Sequence, residues 1–508
     1  MSTRYLVRFV AAGFLVIMPG TPPSLLADLN ETAEAGECSA LVSLRLPDVR
    51  VTEALAVPPA ATGGVRVAHC RVNGVIGREI RFSLLLPTDW NQKFLMGGGG
   101  GFVSGIDNQA RGSVNAGYAT AGTDTGHQGG VTTASWALND LERQLNFGHV
   151  AVHRVAEVSK AILRSHYRST ETRSYFNGCS NGGRQALMEA QRYPDDFDGI
   201  IAGAPANDFL GIGAQFIKDM QAAFPDPRNV STPLFTNEVL KNLEAQVVDK
   251  CDAIDGVKDG LMEDPRACKV DVAALTGLSD AQKNALKTIY GETKNKEGVI
   301  YPGQPFGGEG ESAGWPAWIV GASPMMLKAQ GAPSARFAFG TEMFKYLIFH
   351  DPAWDYSRYD FTNFRKETAL AGTMFNATDP NLDAFKASGG KLVMWHGWSD
   401  PALTAFGSIK YHDQVHARDP KAGDYLRMFM MPGVLHCAGG PGPDTADWDR
   451  VIDDWVDKGQ APERVIARKM AAGGAVSRTR PLCVYPQHAV YRGTGSIDEE
   501  KSFACSAK

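Results

Sequence analysis

Two hydrophobic rhythms alternate along the first part of the chain. Residues 80–86 and 93–96 are short apolar runs that read as strands, the first closed by Pro87-Thr88-Asp89-Trp90. A further strand ends in Asp124 and His127. Residues 150–167 instead place Val150, Val152, Val155, Val158, Ile162 and Leu163 on or near one face of a helix. Residues 174–176 and 199–203 are again strand-like and flank a helix-like run, 184–193. This is βαβ rhythm, which predicts a parallel sheet with helices on both faces. The rhythm is lost between about 207 and 375, where Gly, Pro, Met and Trp are frequent and 303–310 is Gly-rich. It returns at 390–396 and 425–431. The expected organisation is a core formed from residues 28–206 and 376–508, with 207–375 inserted as a lid domain, since substrate pockets often lie where such units meet. The competing reading is one long irregular continuation of the core.

A chain of 508 residues exceeds one simple core, and a net charge of −5 without a Lys/Arg-rich block excludes the usual nucleic-acid binder. Arg4 and Arg8 precede an apolar run, 9–18, that Pro19-Gly20 ends. The run is too short to span a bilayer and suits a secretory signal, so residues 1–27 are expected to be removed, with Ala35 a second candidate cleavage position. No later apolar run has the length of a membrane helix. The mature protein is expected to be soluble and secreted or periplasmic. Eight cysteines suit an oxidising compartment. Cys38 with Cys70, Cys251 with Cys268 and Cys483 with Cys505 would each close a local loop. Cys179 and Cys437 remain, as a long-range bond or as two buried thiols.

Candidate chemistry enters at Gly178-Cys179-Ser180-Asn181-Gly182-Gly183. Gly-x-Ser-x-Gly between a strand and a helix is the context of a nucleophile elbow, in which glycines permit a sharp turn that lifts the serine hydroxyl clear of the sheet. The five glycines 97–101 follow a buried strand, where an α/β-hydrolase places one oxyanion-hole amide; a flexible surface loop is the alternative. Asp124 and His127 are read as loop braces. Asp400 and His436 each follow a predicted strand, and nucleophile, acid, histidine is the chain order of an α/β-hydrolase. His396 is a rival base, set aside because it lies within a strand and close to Asp400. Ser180 is thus the expected nucleophile, His436 its base and Asp400 the group that orients the base. The amides of Asn181 and of Gly100 or Gly101 would bind the oxyanion.

In the inserted region Asp252, Asp255 and Asp259 recur at short intervals with Gly256 and Gly260. Such a loop can wrap a hard cation, although Asp-Gly pairs also make ordinary turns, and the spacing is not that of an EF-hand. No phosphate-cradling or dinucleotide motif is present, and no organic cofactor is expected.

Taken together, residues 178–184, 396–400 and His436-Cys437 resemble the tannase/feruloyl esterase family, which includes mono(hydroxyethyl) terephthalate hydrolase-like enzymes. The similarity extends to the Gly-rich 97–105, to 118–127, to 252–261 and to 480–486, and so to nearly all of the mature chain. The resemblance implies an α/β-hydrolase core with an inserted lid, a disulfide between Cys179 and Cys437, and hydrolysis of esters of small aromatic acids. It also implies a structural calcium held by the side chains of Asp252, Asp255 and Asp259 and the carbonyls of Val257 and Leu261. Feruloyl esters are the leading substrate class, with galloyl esters or a terephthalate monoester as alternatives. Arg336, with Lys345, is a candidate partner for a substrate carboxylate or phenol, and Phe337 and Trp398 are candidate walls. Two other classes share the motifs: a serine peptidase, and a secreted binding protein that has kept the fold.

Overall fold

The computed structural model describes residues 36–323 and 331–507; the expected signal segment, 1–27, lies outside them. Nine strands form the central sheet: β1 (Val49–Val57), β2 (His69–Ile76), β3 (Ile80–Pro87), β4 (Lys93–Gly97), β5 (Ala119–Thr123), β6 (Arg173–Cys179), β7 (Gly199–Gly203), β10 (Lys391–Gly397) and β11 (Leu426–Met431). Two short strands, β8 (Thr293–Asn295) and β9 (Gly298–Tyr301), pair with each other elsewhere. The order across the sheet is β1-β2-β3-β5-β4-β6-β7-β10-β11. From β5 to β11 every neighbour is parallel. The first three strands, and the junction of β3 with β5, are antiparallel. The sheet is therefore mixed, not purely parallel: short links such as residues 77–79 between β2 and β3 permit only a hairpin.

The parallel strands are buried on both faces, which is why they read as continuous apolar runs. Successive residues serve different layers. Leu392 and Met394 of β10 pack with Phe176, Val155, Ile162, Leu187 and Ile409, a layer fed by the helices Ala151–Tyr167, Asn181–Arg192 and Ala405–Arg418. Val393 and Trp395 face the opposite way, onto Tyr175, Phe429 and the helix Trp448–Lys458 through Trp448, Ile452 and Trp455.

No strand of the central sheet comes from residues 204–390. This segment builds two cores of its own, one around Phe209, Phe216, Phe344 and Phe375, and one around Leu240, Leu286 and Trp315. The first also takes in Phe102, Trp136 and Phe147 from the core sequence, and Ala35–Lys508 forms one compact unit. Among the described residues no helix is long and apolar enough to cross a membrane. Four disulfides pair Cys38 with Cys70, Cys179 with Cys437, Cys251 with Cys268 and Cys483 with Cys505.

Candidate active site

Ser180 stands between β6 and the helix Asn181–Arg192 at φ 66° and ψ −125°, a strained conformation for a residue with a side chain. The turn has no room for larger neighbours. A Cβ on Gly178 would lie 2.5 Å from the Gly182 carbonyl oxygen, and one on Gly183 would lie 2.3 Å from that of Gly203. The turn is pinned to the next strand: Ser180 N donates to Gly203 O (3.0 Å), and Ala206 N to Ser180 O (3.0 Å).

Asp400 follows β10 and His436 follows β11, at the carboxyl edge where Ser180 follows β6. His436 Nε2 lies 2.8 Å from Ser180 Oγ, and His436 Nδ1 lies 2.8 Å from Asp400 Oδ2. Asp400 is fully buried, and its Oδ1 accepts from the amides of Ala402 (2.8 Å) and Leu403 (2.9 Å). Burial alone would raise its pKa; the neighbouring His436 and His396 outweigh that and hold the carboxyl well below the usual range. Cys179 and Cys437, bonded to each other, are the chain neighbours of Ser180 and His436.

His396 was set aside as poorly placed to face Asp400, yet its Nε2 lies 3.3 Å from Asp400 Oδ2, because the turn after β10 folds the acid back over the strand end. Its ring is otherwise taken by Leu403 O (3.0 Å) and Ser408 Oγ (2.8 Å), so it braces the same carboxylate oxygen that faces His436. Asp124 and His127 brace loops: Asp124 accepts from the amides of Arg81 (2.9 Å) and Gly126 (2.8 Å), and His127 Nε2 lies 2.8 Å from Phe102 O.

The glycine run divides. Gly98 N donates to Asn177 O (2.9 Å), Gly99 N to Gln185 Oε1 (3.0 Å) and Gly100 N to Asp107 Oδ2 (2.9 Å). Gly100 is therefore a poor candidate oxyanion donor, its amide already being engaged. Gly101, at φ 54°, and Asn181 both line the cavity beside Ser180. Asn181 also locks the run, donating from Nδ2 to Gly99 O (3.0 Å) while its Oδ1 accepts from Arg184 Nε (2.8 Å).

The cavity, about 440 Å³, has Ser180 and His436 in its wall together with Phe102, Phe209, Phe216, Trp318, Phe339 and Met343. Trp318 sits edge-on to the His436 ring, 5.0 Å between centroids, and runs nearly parallel to Phe339 at 6.2 Å. The described wall contains no lysine or arginine.

None of the three proposed substrate contacts is in that wall. Arg336 is fully buried, ion-paired with Asp219, and donates from Nε to Pro401 O (2.9 Å) and from Nη2 to Gln304 Oε1 (2.8 Å). Gln304 in turn donates to Asp400 O (2.6 Å), so Arg336 and Gln304 hold the acid loop and do not face substrate. Phe337 points the other way on its helix, Ala335–Glu342, against Phe224 and Tyr356, while Phe339 takes the wall position. Trp398 is buried beneath the loop against Phe406 and the Arg266 guanidinium. Lys345 is not in the wall either. Arg184, which closes the 178–184 motif but has no role assigned there, is fully buried and donates to the carbonyls of Phe147 (3.0 Å) and Gly148 (2.9 Å).

In the aspartate loop, Asp252 Oδ1 accepts from the amides of Asp259 (3.2 Å) and Gly260 (3.0 Å), and Asp255 from those of Val257 (3.2 Å) and Glu263 (3.1 Å). Burial, opposed by those amides and reinforced by the charges of Asp259 and Asp252, lifts Asp255 to about 6. Three carboxylates on turns that also carry the Val257 and Leu261 carbonyls are oxygen donors of the kind a hard divalent cation takes, although the three do not each bring an oxygen within 4.8 Å of the others. Asp259 is shared, since it also pairs with Arg480.

A family model described as tannase and feruloyl esterase matches residues 65–506. The chain is 31% identical to a mono(2-hydroxyethyl) terephthalate hydrolase of Piscinibacter sakaiensis, covering 89% of this chain and 87% of that one. It is 30% identical to feruloyl esterase B of Aspergillus niger, covering 86% of each chain. Among solved structures, feruloyl esterase B of Aspergillus oryzae superposes with a TM-score of 0.82 at 25% identity, over 94% of this chain and all of that one. With this match across nearly the whole described chain, the protein belongs to the tannase and feruloyl esterase family of carboxylic ester hydrolases.

Proposed function

We propose that this chain is an exported serine esterase that cleaves esters of neutral aromatic acids, feruloyl-type esters foremost, through Ser180, His436 and Asp400. The observation that carries the reading is an unbroken hydrogen-bond relay that opens into an aromatic-walled cavity. His436 Nε2 takes the Ser180 proton as Oγ attacks the ester carbonyl, and Asp400 holds Nδ1–H and stabilises the imidazolium. The amides of Asn181 and Gly101 would receive the oxyanion. His436 then returns the proton to the leaving alcohol. Water, deprotonated by the same nitrogen, attacks the acyl-enzyme and releases the aromatic acid and free Ser180.

A terephthalate monoester carries a free carboxylate, which an apolar wall without a described cation does not favour. A galloyl ring carries several hydroxyls, for which Gln109 and Thr132 are the polar side chains in the wall besides Ser180, Asn181 and His436. Export is supported by the segment 1–27 together with four disulfides. The loop 252–261 would take calcium through Asp252, Asp255 and Asp259, with Val257 and Leu261 carbonyls; the ion would offset the repulsion among the carboxylates and fix the loop. The reading is tested by measuring kcat/KM on methyl ferulate, methyl gallate and mono(2-hydroxyethyl) terephthalate. The order of decreasing activity is expected to follow that sequence, and a preference for the terephthalate ester would overturn the substrate assignment.

A further inference from the structure

Away from the catalytic cavity, three side chains with metal-ligating chemistry converge beside the sheet. They are His153 on the helix Ala151–Tyr167, Glu189 on the helix Asn181–Arg192, and Asp196 in the turn before β7. One donor atom from each lies within 4.8 Å of the others. His153 Nδ1 is 2.7 Å from Asp196 Oδ2, and the imidazole is stacked on Tyr193 at 3.9 Å, which fixes its plane. Tyr193 is held in turn by its hydroxyl, 2.7 Å from His149 Nδ1.

Glu189 is the anomaly. It is fully buried, and neither of its carboxylate oxygens meets a hydrogen-bond donor. A buried carboxylate left in that state is costly and calls for a partner. The nearby cation, Lys160, gives its ammonium to the Asp196 main-chain carbonyl and offsets the charge only in part. Glu157, 3.7 Å from His153 Nε2, adds negative charge on the outer side.

We propose that His153, Glu189 and Asp196 form a binding site for a divalent transition-metal cation, zinc by its donor set, separate from the aspartate loop. One imidazole nitrogen with two carboxylate oxygens is borderline-soft chemistry that suits Zn²⁺, whereas a calcium site is built from oxygen alone. The two carboxylate charges balance a dication. The side chains of His153 and Asp196 are 24% and 15% exposed, which opens a route from solvent. The ion would tie together two helices and the turn that feeds β7. Glu189 lies nine residues beyond Ser180, about 13 Å along the same helix, so the role is to anchor the far end of the nucleophile's helix and not to take part in the chemistry.

The competing arrangement is a proton shared between Glu189 and Asp196, and the test separates the two. Tag-free full-length mature protein is stripped with chelator, refilled with excess calcium, titrated with ZnCl2 and dialysed; bound zinc and Tm are then read for the wild type, Glu189→Gln and His153→Asn. The expected result is one zinc per wild-type chain with a raised Tm, and neither in the two variants. Without zinc, Glu189→Gln should be at least as stable as the wild type, because an amide carries no charge to bury. A wild type that retains no zinc at tens of micromolar, or variants that retain as much as it does, would overturn the site.

Discussion

The two sides of the catalytic cavity are built by different means. On the sheet side, Ser180, Asp400 and His436 follow β6, β10 and β11, and main-chain hydrogen bonds, crowded glycines and the Cys179–Cys437 bond set their positions. On the other side, Phe209, Phe216, Trp318, Phe339 and Met343 come from the segment between β7 and β10, Phe209 and Phe216 from the helix Phe209–Ala223 and Phe339 from the helix Ala335–Glu342, and their side chains pack in one apolar cluster with Phe102 and Phe147. A backbone-defined site tolerates little change, whereas an aromatic wall can be re-cut one side chain at a time. Under the proposed function, bond cleavage falls to the sheet edge and choice of acid to the segment opposite.

The largest effect expected is at the sheet edge. Asp400→Asn should lower kcat by about 10⁴ on every ester, because an amide that cannot favour the right imidazole tautomer fails whatever acid is bound. Steady-state kinetics on two unrelated acids checks this, and a loss confined to one acid would break the division. Arg336→Ala crosses the boundary, since it changes the segment yet releases the acid loop and leaves Asp219 without its guanidinium. Urea unfolding should show a loss of about 3–5 kcal/mol, and the folded fraction should show a fall in kcat that does not depend on the acid. Removing calcium should lower Tm and restoring calcium alone should recover it, with kcat of the folded enzyme little changed; calorimetry and bound-metal content read this directly. The smallest effect expected is at the aromatic wall. Phe339→Ala should cost roughly 1–2 kcal/mol in kcat/KM for methyl ferulate and much less for p-nitrophenyl acetate, whose acyl group does not reach the wall.

The sheet edge was legible in the sequence because its constraints are local. A turn that admits only glycine two residues to either side of Ser180, apolar runs before each loop, and the order of serine, acid and histidine all leave marks along the chain. The wall leaves none, since Phe209, Trp318 and Phe339 meet only through tertiary packing and share no spacing. Arg336 was misread for the same reason: its partner Asp219 is 117 positions away, and nothing near it in the chain announces burial. Trp398 stands two residues from Asp400, but the tight turn after β10 sends the two side chains to different places. Gly100 and Gly101 are alike in sequence and are distinguished in the structure by Asp107, which engages the Gly100 amide, and by the positive φ of Gly101. The first two strands escaped for different reasons: β1 is half-buried or exposed at all but one position, and β2, though largely buried, has its apolar residues broken up by His69, Arg71, Asn73 and Gly74.

In the proposed reaction Ser180, activated by His436, carries the acyl group of an aromatic ester bound in the cavity. Mixing the enzyme with excess methyl ferulate, quenching in acid within milliseconds and mapping the peptides by mass tests that role most directly. A feruloyl adduct is expected on the peptide containing Ser180, together with turnover that Ser180→Ala abolishes while Tm is preserved. Turnover that survives Ser180→Ala would contradict that role, as would an adduct mapped to any other residue.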